Sequence, residues 1–154
     1  MKGDFTMKTM TRILAFALLA VMVLSLVACS SFGSIKKNFE EAGYTYIENA
    51  DSEDGDAAAA RTITAELEEG DISCTAHLFK TTTTLMVVEV PVYALVLEFA
   101  TDEDMAKAMS ESETLKGILK DAQQSDYVNG NCVLVPLSIT KFQEMITIFK
   151  GEKE

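Results

Sequence analysis

One stretch of the chain is continuously apolar, and most of the rest alternates between apolar and polar positions. Residues 13–28 read ILAFALLAVMVLSLVA without a charge, and Lys8 and Arg12 precede them. A basic start, an apolar stretch and a small-residue end are typical of a secretory signal peptide. The run has 16 residues, whereas a membrane-spanning helix needs about 20. We therefore expect residues 1–28 to be a cleaved signal peptide rather than a permanent transmembrane helix.

Further along the chain, several segments repeat apolar residues at intervals of three and four, which predicts amphipathic helices. In the first of these, Ser34 is expected to cap the helix and Gly43 to end it; in the last, Ser138 and Gly151 are expected to play the same roles. The apolar positions of the first and last helices are Phe32, Ile35, Phe39 and Ala42, and Ile139, Phe142, Met145, Ile146 and Phe149. Three more helices are predicted over 57–69, from 101 to 109 and over 112–122.

Strict alternation predicts a half-buried strand over 72–78, and shorter β-rich runs predict strands over 44–48 and 132–135. The stretch 85–99 is long and β-branched, so we expect it to be strand as well. Because Pro91 has no N–H to donate, that stretch should contain a bulge, occupy an edge or divide into two pieces. The four threonines at 81–84 are expected to form a turn or a frayed strand end.

Without the first and last helices, the predicted order is β-α-β-β-α-β, which is the split βαβ pattern of ferredoxin-like folds. We therefore expect an α+β domain over residues 34–154, with an antiparallel sheet of about four strands and helices packed on one face. In that strand order Cys74 and Cys132 lie on opposite edges of the sheet, about 14 Å apart. A disulfide needs Cα atoms within about 7 Å, so both thiols are expected to be free.

The end of the apolar run, Leu26-Val27-Ala28-Cys29, resembles the lipobox of bacterial lipoproteins. The resemblance implies that a diacylglycerol is attached to the sulfur of Cys29 and that cleavage occurs between Ala28 and Cys29. Two acyl chains would anchor the protein stably on the extracytoplasmic side of the bacterial cell membrane. Residues 29–33 would then be the lipidated cysteine and a short tether. The alternative is a buried cysteine near the end of an uncleaved helix.

Charge and cysteine content agree with this interpretation. Removal of residues 1–28 leaves 10 basic and 23 acidic residues, and such a domain is repelled by phosphates and anionic lipid head groups. We therefore expect no nucleic acid as a partner and no membrane contact beyond the lipid anchor. The chain has three cysteines, an odd number for an exported protein, and lipidation of Cys29 leaves an even pair. Asp4 is unusual in a basic signal start, which leaves Met7 and Met10 as alternative initiation sites.

Candidate sites for metals or catalysis are weak. The acidic segment 51–56 fails as a calcium loop, because aligning Gly55 with the loop glycine places Ala50 and Arg61 at ligand positions. His77 is the sole histidine, and the chain lacks a Gly-x-Ser-x-Gly elbow and Cys-x-x-Cys spacing. We expect no metal site, no cofactor other than the covalent lipid, and a surface-facing His77 that points away from Cys74.

Two carboxylates, Glu89 and Glu98, lie among apolar strand residues and are either general-acid candidates with a raised pKa or solvent-facing groups. The methionines at 105, 109 and 145 are expected to fill the core. The leading hypothesis is a small, non-enzymatic envelope lipoprotein with a binding or structural role and an envelope protein as partner. The alternatives are a solute- or cation-binding accessory beside a transporter and a small carboxylate-based envelope enzyme. A deep polar pocket would favour the alternatives, and an exposed apolar patch would favour a protein partner.

Overall fold

The computed structural model describes residues 31–47, 55–118, 124–138 and 140–152. The predicted signal peptide, its cleavage site at Ala28 and the predicted lipidation site Cys29 lie outside the described residues. Every described element belongs to the unit Ser31–Glu154. In chain order these elements are α1 (Ser31–Glu41), β1 (Thr45–Ile47), α2 (Gly55–Glu69), β2 (Cys74–Leu85), β3 (Val88–Phe99), α3 (Asp102–Glu111), α4 (Glu113–Ile118), a 3₁₀ turn (Gln124–Tyr127), β4 (Val128–Asn129), β5 (Cys132–Pro136) and α5 (Phe142–Lys150).

The five strands form one antiparallel sheet in the order β1-β2-β3-β5-β4, which confirms the predicted α+β class. The expected ferredoxin-like strand order is wrong, since β1 lies at an edge beside β2. β3 pairs with β2 on one side and with β5 on the other, so the remaining edge of β2 is the place where β1 adds to the hairpin. β4, a two-residue strand at the opposite edge, was not predicted.

Helices cover both faces of the sheet, so the expected one-sided arrangement is also wrong. On one face, Phe39 of α1 stacks on Phe79 of β2 with ring centroids 4.7 Å apart, and α1 contacts α5. Cys74 lies an odd number of positions from Phe79 on β2, so its side chain projects from the other face of the sheet. Its neighbours there include charged residues of α2 and α3. Residues 92–97 of β3 are all buried, whichever face of the sheet they project from. A strand of this kind needs apolar cover on both sides, which is why helices lie on both faces.

The threonine tract belongs to a strand rather than to the predicted turn. β2 and β3 pair over their full length, from Cys74 opposite Phe99 to Leu85 opposite Val88, and Met86 and Val87 form the two-residue turn. Threonine is β-branched and favours extended backbone, so the tract extends the strand. β5 reaches only as far as Ala94, so Pro91 lies beyond it on an open stretch of β3, which confirms the edge position among the three alternatives.

The predicted glycine ends of two helices are confirmed, and the predicted serine caps are wrong. Gly43 and Gly151 follow α1 and α5 with φ angles of 84° and 72°, a left-handed conformation that glycine adopts without strain. Ser34 lies inside α1, which begins three residues earlier, so that residues 31–33 of the expected tether are helical. The hydroxyl of Ser138 accepts the N–H of Tyr93 instead of capping α5.

Cys74 and Cys132 are free thiols, as predicted, although their strands lie closer together than the expected strand order implied. β3 lies between the strands that carry them, which separates the strand axes by about 10 Å. Their register places them on opposite faces of the sheet, since Cys132 pairs with Glu98 and Cys74 pairs with Phe99. A disulfide between them would need both a shorter distance and a shared face.

Candidate functional site

The only histidine of the chain lies in a polar and aromatic group between α1 and the sheet. We call this group the His77 cluster; it consists of Phe32 and Lys36 of α1, Tyr46 of β1, His77 of β2 and Glu98 of β3. The three strand residues come from adjacent strands and project from one face of the sheet, because their register places them side by side. The cluster therefore connects the first helix to three strands.

Both ring nitrogens of His77 take part in hydrogen bonds. Nε2 lies 3.1 Å from Oε2 of Glu98, and Nδ1 lies 3.0 Å from the hydroxyl of Tyr46. A carboxylate only accepts hydrogen bonds, so Nε2 carries the proton and Nδ1 accepts the hydroxyl proton of Tyr46. The hydrogen-bond network thus assigns the neutral Nε2–H tautomer and a directed chain from Tyr46 through His77 to Glu98.

Aromatic contacts close the cluster from the helix side. The ring of Phe32 stacks on the His77 ring with centroids 3.5 Å apart and an interplanar angle of 15°. The ammonium of Lys36 lies 4.2 Å from the ring centroid of Tyr46, a cation–π distance. These contacts leave His77 only 7% exposed, so the prediction of a surface-facing histidine is wrong. That it points away from Cys74 is confirmed by the register.

Burial decides the protonation of His77. Desolvation lowers the pKa of the imidazole below its usual value, and the positive charge of Lys36 acts in the same direction. The hydrogen bond and the negative charge of Glu98 oppose this shift without reversing it. The ring is therefore neutral at neutral pH, and both nitrogens are already used. The arrangement holds α1 against the sheet, and a substrate could reach an imidazole nitrogen only by displacing Phe32 and breaking an existing bond.

The remaining candidate groups from the sequence are two carboxylates and two thiols. Glu98 joins the His77 cluster, whereas Glu89 is exposed on the distal part of β3. Cys132 is paired with Glu98 in the register, and burial together with that carboxylate raises the pKa of its thiol to about 12. Burial also raises the pKa of Cys74, to about 11, with help from Glu68 and Asp104. Both thiols stay protonated at neutral pH and are poor nucleophiles.

Within the described ranges, no group of three or more His, Cys, Asp or Glu side chains could hold a metal ion. The acidic segment 51–54 and the side chain of Asp56 lie outside them. Met145 is buried, and Met105 and Met109 pack against the core, as predicted for core-filling methionines.

The second candidate site is an exposed apolar surface at the end of the β2–β3 hairpin. We call residues Leu85, Met86, Val87 and Val88 the hairpin tip; their side chains are 46%, 100%, 92% and 61% exposed. Met86 has a φ of 59°, a conformation that an unbranched residue adopts only at some cost. Four consecutive large apolar side chains in water are typical of an interaction surface rather than of a solubilising turn.

The sequence singled out His77 and Glu98 as separate candidates but did not bring them together, and it did not indicate the hairpin tip. Tyr46 and Glu98 lie 31 and 21 positions from His77, and alternation alone does not reveal which strands become neighbours. The apolar tip was hidden because residues 85–88 belong to the same β-rich stretch, 85–99, as the buried residues 92–97. The sequence offers one signal for the tip. A turn is needed between the two strands, yet the run at that place is uncharged and β-rich.

Comparison with protein-family models, with curated proteins and with solved structures finds no match to this chain. In the part of the chain that the structure describes, no helix has the length and apolar character needed to cross a bilayer.

The hydrogen bond between Tyr46 and His77 can be tested against a matched tyrosine. Replacement Tyr46→Phe leaves the buried Nδ1 of His77 without its donor, and we expect the free energy of unfolding to fall by about 1–3 kcal/mol. Tyr44 is buried, and its hydroxyl has no partner among the described residues, so Tyr44→Phe should be neutral or slightly stabilising. Urea unfolding of the two variants measures the difference, and equal losses would contradict this account.

The lowered pKa of His77 predicts a pH-dependent stability. The unfolded chain binds a proton near pH 6.5 and the folded chain only at lower pH, so stability is complete above 6.5 and declines as the pH falls toward the folded pKa. The slope contributed by one proton is at most about 1.4 kcal/mol per pH unit. Between pH 7.5 and 5.5 the free energy of unfolding of the native chain should decrease with a slope that stays within this limit and exceeds the slope of His77→Gln. A folded-state pKa at or above 6.5, measured by NMR, would refute it.

Proposed function

We propose that this protein is a small, membrane-anchored envelope lipoprotein that acts through protein contacts and not through catalysis. The observation that carries the proposal is the hairpin tip, where four large apolar side chains extend into solvent from a stable two-stranded base. Burial of apolar surface is the main driving force of protein association. A surface of this kind favours a protein partner over a small-molecule ligand, which would require an enclosed pocket with converging polar groups.

The proposed anchor is consistent with the place where the folded unit begins. α1 starts at Ser31, two residues after Cys29. Ser31 packs against Gly130 so closely that any side chain at Gly130 would overlap the Ser31 hydroxyl. This turn precedes Cys132, which pairs with Glu98 near the end of β3. A lipid on Cys29 would therefore hold that end of the sheet near the bilayer.

The hairpin tip lies at the other end of the same strands. Val88 and Glu98 are ten positions apart on β3, which corresponds to about 33 Å of extended chain. On this proposal the anchor holds one end of β3 near the bilayer and the apolar tip extends into the envelope. Its partner would accordingly be a protein in the envelope space.

The chemistry of the buried groups supports a non-catalytic role. Phe32 covers His77, and both imidazole nitrogens are committed to Tyr46 and Glu98. The thiols of Cys74 and Cys132 have raised pKa values and stay protonated. These groups contribute to packing and to the attachment of α1.

The anchor is tested by the substitution Cys29→Ala. Without a thiol at this position no thioether can form, so we expect loss of labelling by a radioactive or alkyne-tagged fatty acid and loss of membrane retention. The matched control is Cys74→Ala, which leaves Cys29 in place and should keep both properties. Retention of an uncleaved Cys29→Ala chain in the membrane would instead support a helical anchor.

The contact surface is tested by a photoreactive amino acid at Val87 in intact cells. Because this side chain is 92% exposed at the tip, we expect cross-linked adducts with one or a few envelope proteins. The matched control places the same group at Glu111, an exposed residue of α3 on the body of the domain. Equal adduct patterns from both positions, or none from Val87, would contradict a role for the tip in protein contacts.

A further inference from the structure

The hairpin tip places a methionine thioether fully in solvent. Met86 is 100% exposed. The described residues include three other methionines, and all of them are shielded: Met145 is fully buried, and Met105 and Met109 are partly buried and pack against the core. A reagent dissolved in water therefore reaches the sulfur of Met86 before the other three.

The geometry of the turn does not explain the presence of a methionine there. Met86 is the first of the two residues that join β2 to β3, and its φ is 59°. Two-residue hairpin turns with a positive φ at this position favour glycine, asparagine or aspartate, because other side chains are strained there. The chain accepts that strain at Met86, so the side chain itself is the part to explain.

Met86 also remains reactive where the thiols of the domain do not. Burial raises the pKa of Cys74 to about 11 and that of Cys132 to about 12, so both stay protonated and are poor nucleophiles. A thioether has no proton to lose, and its sulfur is nucleophilic at any pH. Among the described residues, the sulfur best placed to react with an oxidant is therefore that of Met86.

We propose that Met86 is a site of oxidation by hydroperoxides, and that its sulfoxide disables the hairpin tip as a contact surface. The sulfur attacks the terminal oxygen of the peroxide, an S–O bond forms and the O–O bond breaks. Sulfur loses two electrons to the peroxide, whose other oxygen takes up the hydroxyl proton and leaves as water or an alcohol. The product is methionine sulfoxide, which is polar where the thioether is apolar.

The surroundings of Met86 make this change decisive. The other residues of the tip, Leu85, Val87 and Val88, have hydrocarbon side chains, and no charge occurs from Thr81 to Val88. A sulfoxide among them introduces a strong hydrogen-bond acceptor that an apolar partner surface leaves unpaired. Losing the burial of one methionine weakens the contact roughly tenfold to a hundredfold.

Charge selects the class of oxidant. The formal net charge of the chain is −11, and such a field repels anionic oxidants but not a neutral hydroperoxide. The proposal rests on the proposed function, because it takes the hairpin tip as a contact surface. It does not depend on the lipid anchor.

The oxidation site is tested on the full-length chain in detergent with increasing hydrogen peroxide. Mass spectrometry counts the added oxygen atoms, and fragmentation assigns each to a residue. We expect Met86 to gain oxygen at least about tenfold faster than the buried Met145, because oxidation follows exposure. In urea, which exposes every methionine, the rates should become similar. Oxidation of Met86 no faster than that of Met145 in the folded chain would overturn the proposal.

The effect on the contact is tested without an oxidant by two substitutions in cells that carry the photoreactive group at Val87. Met86→Gln gives the tip a polar side chain of similar length, as the sulfoxide does, whereas Met86→Leu keeps it apolar. Adducts from Met86→Gln should be roughly tenfold fewer than those from Met86→Leu. Circular dichroism monitors the fold of both variants, and equal adduct yields from two folded variants would overturn the proposal.

Peroxide present while the cells synthesise the chain separates Met86 from other targets. Adducts from Val87 should fall in the chain that retains Met86 and fall equally in Met105→Leu. In Met86→Leu the yield with peroxide should equal the yield without it, and a similar fall there would overturn the proposal.

The same experiments distinguish this proposal from the broader one. Adducts from Val87 that persist unchanged in Met86→Gln and in peroxide leave the proposed function standing and refute the oxidation switch. The absence of adducts from every chain contradicts the proposed function and the switch together.

Discussion

The pairing of β2 with β3 is the interaction on which the rest of the molecule depends. Twelve residues of each strand run opposite one another without a bulge, and a two-residue turn joins them. The proximal half of this hairpin carries β1 on one edge and β5 on the other. Because β3 is buried on both faces there, helices must cover both sides of the sheet. The three-layer arrangement therefore follows from the apolar character of one strand.

The His77 cluster solves a local problem that this arrangement creates. α1 precedes a strand of only three residues, which by itself would hold the helix weakly against the sheet. Stacking of Phe32 on His77 and of Phe39 on Phe79 supplies apolar contact, and the chain from Tyr46 through His77 to Glu98 satisfies the buried polar atoms. A buried imidazole with both nitrogens bonded is stable only when neutral, which couples the attachment of α1 to pH.

The two halves of the hairpin serve different purposes. The proximal half forms the centre of the core, whereas the distal half carries four exposed apolar side chains at its tip. Exposed β-rich edges are normally protected in natural proteins, and here β3 is protected by Pro91 and Glu89. The exposed tip that joins the two strands is the feature that supports the proposed function.

The sequence by itself determined the α+β class, most of the helices and strands, the edge position of Pro91 and the glycine helix ends at Gly43 and Gly151. These features depend on local periodicity and on the conformational limits of single residues. Only the tertiary structure decided the strand order, the cover of both faces, the burial of His77 and the exposure of the tip. Each of these depends on which strands become neighbours, and alternation along one strand carries no information about its partner. The free thiols were predicted correctly from a wrong strand order, because β3 separates Cys74 from Cys132 in the true order as well.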